Sequence, residues 1–257
     1  MSNLIVCSPR QLPRNQWVPA AKTATTINPL NHPPVHQLVK LGFSNITAEH
    51  IAVVTTKYWH TNGVKLGVKF LEETPADLGA KIIDNMNAWA KTANVTFTPS
   101  QDNAQVRISR EGDGYWSYVG TDILSIPDGQ PTMNLQGFTM DQPDSEFHRV
   151  VRHETGHTLG CPHEHMRREL VALIDPQKAI AFFGATQGWS EAEIRQQVLT
   201  PIEESSLITS GRADPDCIMC YQIPGNITKN GQPIVGGSDI DDEDYAFMAK
   251  IYPKAAS

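Results

Sequence analysis

At 257 residues with 40% hydrophobic side chains, the chain is long enough to fold as one sizeable domain or as two lobes sharing a cleft. A net charge of −7 without any basic stripe argues against nucleic acid as a partner, and no apolar run nears the roughly 18 residues that span a bilayer. Four cysteines are too few for a disulfide-built scaffold, and Met1–Arg10 lacks the basic start of a secretory leader, so the expected route is signal-independent secretion or delivery as cargo, with cytoplasmic residence the alternative.

Residues 1–46 carry Pro9, Pro13, Pro19, Pro29, Pro33 and Pro34, which are expected to break any long element. Residues 1–56 therefore read as an extended, pro-segment-like arm ahead of a domain spanning 57–257, with Thr47 capping a short helix through Val54. Val64–Phe70 alternates apolar and other residues, the period of a strand. Thr74-Pro75 opens a helix whose buried stripe is Leu78, Ile82, Met86 and Trp89. Strands follow at Val95–Thr98 and Ala104–Arg110, with the sheet region continuing through Trp116–Gly120 and Ile123–Ile126. Thr132–Leu135 reads as a short strand. Asp144 or Ser145 caps the next helix, which buries Phe147, Val150, Val151 and Leu159. Beyond it, Pro176–Phe183 and Ser190–Leu199 read as helices separated by a break at Gly184–Gly188, the second with the capping box Ser190-x-x-Glu193. Residues 201–216 read as a loop, and Gly225–Gly237 as an irregular wall. A last helix, capped by Ser238–Asp241, packs through Ile240, Tyr245, Phe247, Met248, Ile251 and Tyr252.

The chemistry concentrates in Arg152–His165, R-H-E-T-G-H-T-L-G-C-P-H-E-H, a stretch holding four of the nine histidines. On a helix His153 and His157 lie one turn apart and project from one face, so both rings can reach one ion. Glu154 stands beside the first of them. Gly160 ends the helix where a residue with a Cβ would be strained, and the turn can return His163 as a third ligand. Three protein ligands leave a zinc ion its fourth position for water, the arrangement of a catalytic site. His148 and His165 fall off this ligand face and are expected to be partly exposed; His32, His36, His50 and His60 have no ligand spacing.

The string H-E-x-x-H-x-x-G-x-x-H resembles the metzincin motif. Downstream, Cys217-Ile218-Met219-Cys220-Tyr221 resembles the Met-turn of that clan, with Met219 a soft packing group beneath the imidazoles. Met-x-Tyr, together with Glu164 directly after His163, makes the chain similar to the astacin-like zinc metalloproteases, with a serralysin-like protease the runner-up. The resemblance implies an α+β fold. A twisted mixed sheet and two long helices would form an upper lobe (about 57–163), above a smaller, mostly helical or irregular lower lobe (about 164–257), with a cleft between. It implies one Zn2+ per chain on His153, His157 and His163, Glu154 as general base, and Tyr221 on the oxyanion. It makes Thr132–Leu135 the antiparallel edge lining the cleft, with which protein or peptide substrates would pair, and the chain is expected to be a monomer. Cys161, Cys217 and Cys220 bracket the site: either Cys161 pairs with one of the other two, or all three are buried thiols. Cys7, in Cys7-Ser8-Pro9-Arg10, is set beside the thiolate plugs of matrix metalloprotease pro-segments, but the match is poor and a bland surface or packed thiol is the expectation. A catalytically silent binding protein on the same scaffold and a zinc hydrolase acting on a non-peptide amide are the competing readings.

Overall fold

The computed structural model describes residues 7, 10–33, 47–48, 51–52, 55–201 and 213–255. Five strands make one mixed sheet: β1 (Val64–Phe70), β2 (Val95–Pro99), β3 (Val106–Ser109), β4 (Tyr115–Ser117) and β5 (Met133–Leu135), in the order β2-β1-β3-β5-β4. All pairs are parallel except β4 with β5, where Tyr115 lies opposite Leu135. In β1, Val64, Leu66 and Val68 are buried while Lys65 is exposed, and the central strand β3 is buried throughout, as expected of a strand covered on both faces.

Before the sheet comes α1 (Trp17–Ile27). After β1, α2 (Ala76–Met86) buries Leu78, Ile82, Ile83 and Met86, and a 3₁₀ turn over Asn87–Lys91 buries Trp89. Three consecutive helical segments, Asp144–Glu146, Phe147–Arg152 and His153–Thr158, form the second long helix, α3, which packs against α2. Then follow α4 (Arg168–Val171), α5 (Pro176–Gln187), α6 (Glu191–Ile194) and α7 (Asp242–Ile251). The capping box Ser190–Glu193 forms as expected, and a second one, Asp241–Asp244, starts α7. One buried cluster runs from Tyr58 through the sheet and α3 to Ile194, Met219 and Tyr252.

Several sequence expectations give way. The arm is not extended throughout, because α1 forms across Pro19. That proline sits in the first helical turn, where its missing N–H has no intrahelical acceptor to lose. Thr132–Leu135 does not form the edge. The Asn134 amide donates to Gly112 O (2.8 Å) and Gly114 O (2.6 Å), fixing the glycine loop so that Tyr115–Ser117 runs back along the outer side of β5. At this end of the sheet the free edge is therefore β4. Ile123–Ile126 is not sheet: Gly120–Ser125 is a 3₁₀ helix, tied by Thr121 N to Lys57 O at 2.9 Å and packed on α1. The helix from Pro176 passes through Gly184 and stops only at Gly188, which takes a left-handed conformation. Of the helix expected over Thr47–Val54, Ala48, Ile51 and Ala52 are helical and Thr47 O accepts from Ile51 N at 3.1 Å; residues 49–50 and 53–54 lie outside the described residues, as do residues 202–212 of the expected loop.

Candidate metal centre

Helix α3 changes pitch just before the motif. Phe147–Arg152 is a π segment, and the indole of Trp89 donates to Arg152 O at 3.0 Å. The apolar positions Phe147, Val150 and Val151 point into the core, so the opposite side of His153–Thr158 faces the cleft. Gly156 has no Cβ because Met219 fills that space, its Sδ lying closer than any Cβ would tolerate. The turn Cys217–Tyr221 is thus seated under the helix, and Ile218 O and Met219 O accept hydrogen bonds from His153 Nδ1 (2.6 Å) and Glu164 N (2.9 Å). At Gly160 (φ 104°) the chain leaves the helix, with Gly160 N on His157 O and Cys161 N on Gly156 O.

This exit brings His163 to the other two. Its Nε2 lies 3.1 Å from His153 Nε2 and 3.0 Å from His157 Nε2. A carbonyl only accepts, so His153 Nδ1 on Ile218 O and His157 Nδ1 on Cys161 O (2.7 Å) must both carry their protons. Both Nε2 atoms therefore present lone pairs to one point. Burial holds all three rings neutral, pulling His153 down to about 4 and His157 and His163 well below the usual histidine range. Two buried lone pairs thus converge on the Nε2 of His163, whose Nδ1 has no hydrogen-bond partner among the described residues, a donor set suited to a cation held between the three rings. Ligands of a tetrahedral zinc stand about 3.3–3.4 Å apart by the ordinary Zn–N distance, close to what is seen. The residues fit the metal.

Glu154 is 1% exposed and its carboxyl is pushed up to about 8, by burial above all. Tyr221 stacks on His165, ring centroids 3.9 Å apart at 17°, and leans over His163 at 4.2 Å. His165 is fully buried rather than partly exposed, because that stack covers one face and Gln197 O accepts from Nε2 at 2.9 Å; it is no part of the ligand cluster. His148 stays at the surface against Asp239. His32 and His60 lie away from the cluster; His36 and His50 fall outside the described residues. All four cysteines are free and buried, so of the two alternatives for Cys161, Cys217 and Cys220 the thiols hold. Cys217 donates to Asp244 Oδ1 at 2.9 Å, which ties the turn to α7.

The largest departure concerns Cys7. It is not a bland packed thiol: its Sγ lies 3.4 Å from both His157 Nε2 and Glu154 Oε2, and joins the three histidines in one cluster of potential ligand atoms within 4.8 Å of one another. Its carbonyl accepts a hydrogen bond from the Tyr221 hydroxyl, and its backbone bridges to Tyr115 of the free edge. Arg149 was also not singled out from the sequence. It stands four residues before His153 and lines the same pocket with Tyr115, Val150, Gln222 and Gly237, its guanidinium held by Glu146 at 2.8–2.9 Å. The i−4 spacing was the available signal.

Against known proteins, residues 52–179 match the family model of the Astacin peptidases. The structure is similar to myroilysin, at 30% sequence identity and a TM-score of 0.72, over 78% of this chain and 97% of that one. The chain belongs to the astacin family. Its fold is also that of a hatching-enzyme zinc-protease, HCE-1, from Oryzias latipes, at 16% identity and a TM-score of 0.52, covering 75% of this chain and 92% of that one. The zinc metalloproteinase nas-27 of Caenorhabditis elegans is 30% identical over 93 residues; these are 36% of this chain but only 20% of that longer protein.

Proposed function

We propose that the chain is a zinc-dependent endopeptidase. His153, His157 and His163 would hold the ion, which when bound supplies a Lewis acid for a scissile carbonyl and lowers the pKa of a water toward about 7. Glu154 holds and moves the proton: its carboxylate takes one from the attacking water and delivers it to the leaving amide nitrogen. Burial in so dry a site raises the proton affinity of Glu154 above that of an ordinary carboxylate, which suits a group that takes up and hands on a proton. Tyr221 donates to the carbonyl oxygen on which charge develops.

The observation that carries this reading is the hydrogen bond from the Tyr221 hydroxyl to the carbonyl of Cys7. A peptide carbonyl beside the three histidines and Glu154 occupies the position a substrate carbonyl would need. Cys7 has chain on both sides, and the bridges to Tyr115 and at Arg10 to Tyr118 run along β4. A chain that passes through the site in its interior supports internal cleavage of peptides, paired to the edge by main-chain hydrogen bonds.

The test is digestion of a proteome-derived peptide library by the zinc-loaded chain after its arm has been cut by a trace of a second protease, with that protease inhibited. Glu154→Gln is expected to keep one zinc per chain and lose about 10²–10⁴-fold in kcat/KM, the usual share of general-base catalysis. Wild-type turnover in that variant would overturn the mechanism. One zinc without any internal cleavage would favour a binding protein on a protease scaffold.

A further inference from the structure

Strand β4 offers two faces to whatever lies along its free edge. Tyr115 and Ser117 point toward α3: the Tyr115 ring packs on Phe138, which packs on Phe147 of that helix, and Ser117 Oγ lies 3.1 Å from Thr158 Oγ1. Side chains alternate along a strand, so Trp116 and Tyr118 point to the opposite face. Their rings stand nearly perpendicular, with centroids 6.0 Å apart. The Trp116 indole donates to Asp113 O at 3.2 Å, and Tyr118 packs against the cluster of Leu12, Ala20 and Ile126, which fixes both rings in place.

The arm shows what this second face accepts. It bridges to β4 at Cys7–Tyr115 and Arg10–Tyr118, and Arg10 N donates to Ser117 O at 3.4 Å. Residues paired across two strands share a face. Cys7 accordingly follows Tyr115 toward the histidines, while Arg10 follows Tyr118 and lays its guanidinium over the Trp116 ring, 4.6 Å from the centroid. The stretch 111–118 carries Glu111 and Asp113 and no basic residue of its own. The ring is therefore open to a cation from a paired chain, and the face of a tryptophan attracts one through its quadrupole. Arginine gains most, because its planar group also stacks.

We propose that Trp116 is a substrate subsite: a basic side chain of a peptide paired along β4, arginine above all, lies over its ring and sets a sequence preference about three residues from the cleaved bond, the separation of Cys7 from Arg10. This rests on the endopeptidase reading above, in which a substrate carbonyl takes the position of Cys7 O. Main-chain pairing holds any peptide alike, so preference has to come from side-chain places such as this one. Trp116 touches the substrate away from the reacting atoms and moves no proton. It is a specificity residue. The preference over an uncharged side chain of the same shape is expected to be about 3–30-fold, the range between an exposed and a dehydrated cation–π contact.

The experiment uses the zinc-loaded chain with its arm cut as above and washed free of the fragment, in the Glu154→Gln form so that peptides bind without being consumed. A set of labelled, otherwise neutral peptides carries one arginine moved position by position. Each has a twin with citrulline there, which keeps the shape without the charge. Fluorescence anisotropy gives the Kd of every peptide. At one position the arginine peptide is expected to bind about 3–30-fold tighter than its twin. Trp116→Leu is expected to bring that ratio to about one, and Trp116→Phe, with a weaker ring, to keep part of it. Damage to the fold would weaken both twins alike, so the ratio reads the ring itself. Equal affinities of the twins at every position, or a ratio that survives Trp116→Leu, would overturn the subsite. The library digestion tests the other reading separately. Twins that differ in Kd while no library peptide is cut would overturn the endopeptidase and leave Trp116 as a cation-binding place for peptides. Library peptides cut with no basic residue enriched near the bond would keep the endopeptidase and overturn the subsite.

Discussion

Tyr221 shows how one side chain combines a legible identity with an illegible setting. Its place two residues after Met219 was readable, but its stack on a buried His165 and its bond to Cys7 O join three distant parts of the chain. With the arm cut, Tyr221→Phe is expected to lower kcat by about 10²–10³-fold, the cost of one oxyanion donor, with KM and zinc content little changed. A matching rise in KM instead would make the residue a substrate-binding group. Asp122, in the 3₁₀ helix beneath α1, carries a pH signature of its own. Burial raises its carboxyl to about 6, only partly countered by Lys57 at 4.0 Å. Between about pH 4 and 6 the folded chain therefore keeps a proton that the unfolded chain has lost, and its stability contribution falls as pH rises through that window. The full effect is at most about 3 kcal/mol by the conversion of two pKa units. Asp122→Asn is expected to gain stability over the parent progressively from pH 4 to 6 and no further above it, read from urea midpoints. Parallel midpoints across that range would refute the assignment.

At the scale of elements, the decisive contact is between the histidine helix and the methionine turn. Gly156 is the point where they touch, with Met219 Sδ and Trp89 occupying the space of a Cβ. Gly156→Ala raises helix propensity but overpacks a closed contact, so a net loss of about 1–3 kcal/mol is expected, with weaker zinc retention against a chelator. An unchanged melting temperature would mean that the turn can slide. The helices themselves were readable because caps and apolar stripes are local: Ser190–Glu193 and the stripe of α2 formed where the pattern placed them. The order of the strands was not. Which of two short strands becomes the free edge depends on the Asn134 amide meeting the Gly112–Gly114 loop, a contact that no strand periodicity encodes.

For the whole molecule, one core extends from the sheet through α3 to the methionine turn and α7, so the metal site and the fold are expected to stabilise each other. Chelation should lower the thermal midpoint, because a metal at about a thousand times its Kd adds about 4 kcal/mol to folding. A midpoint indifferent to chelator in the arm-cut protein would mean that the three histidines do not hold an ion that matters to the fold. What the amino-acid order determined by itself is the make-up of the candidate metal centre: the spacing of His153 and His157, the exit at Gly160, the glutamate beside the first histidine, and the family to which these belong. Those features arise within a few turns of chain, where backbone geometry alone places side chains. Only the tertiary structure decided that Cys7 enters the site. The contact spans 147 residues to Glu154 and 150 to His157 and exists only because α1 is anchored beside the Tyr58–Trp59 segment and β4 is left as the free edge. Proximity between such distant segments is a product of packing, and packing is summed over the whole core rather than written in any one stretch.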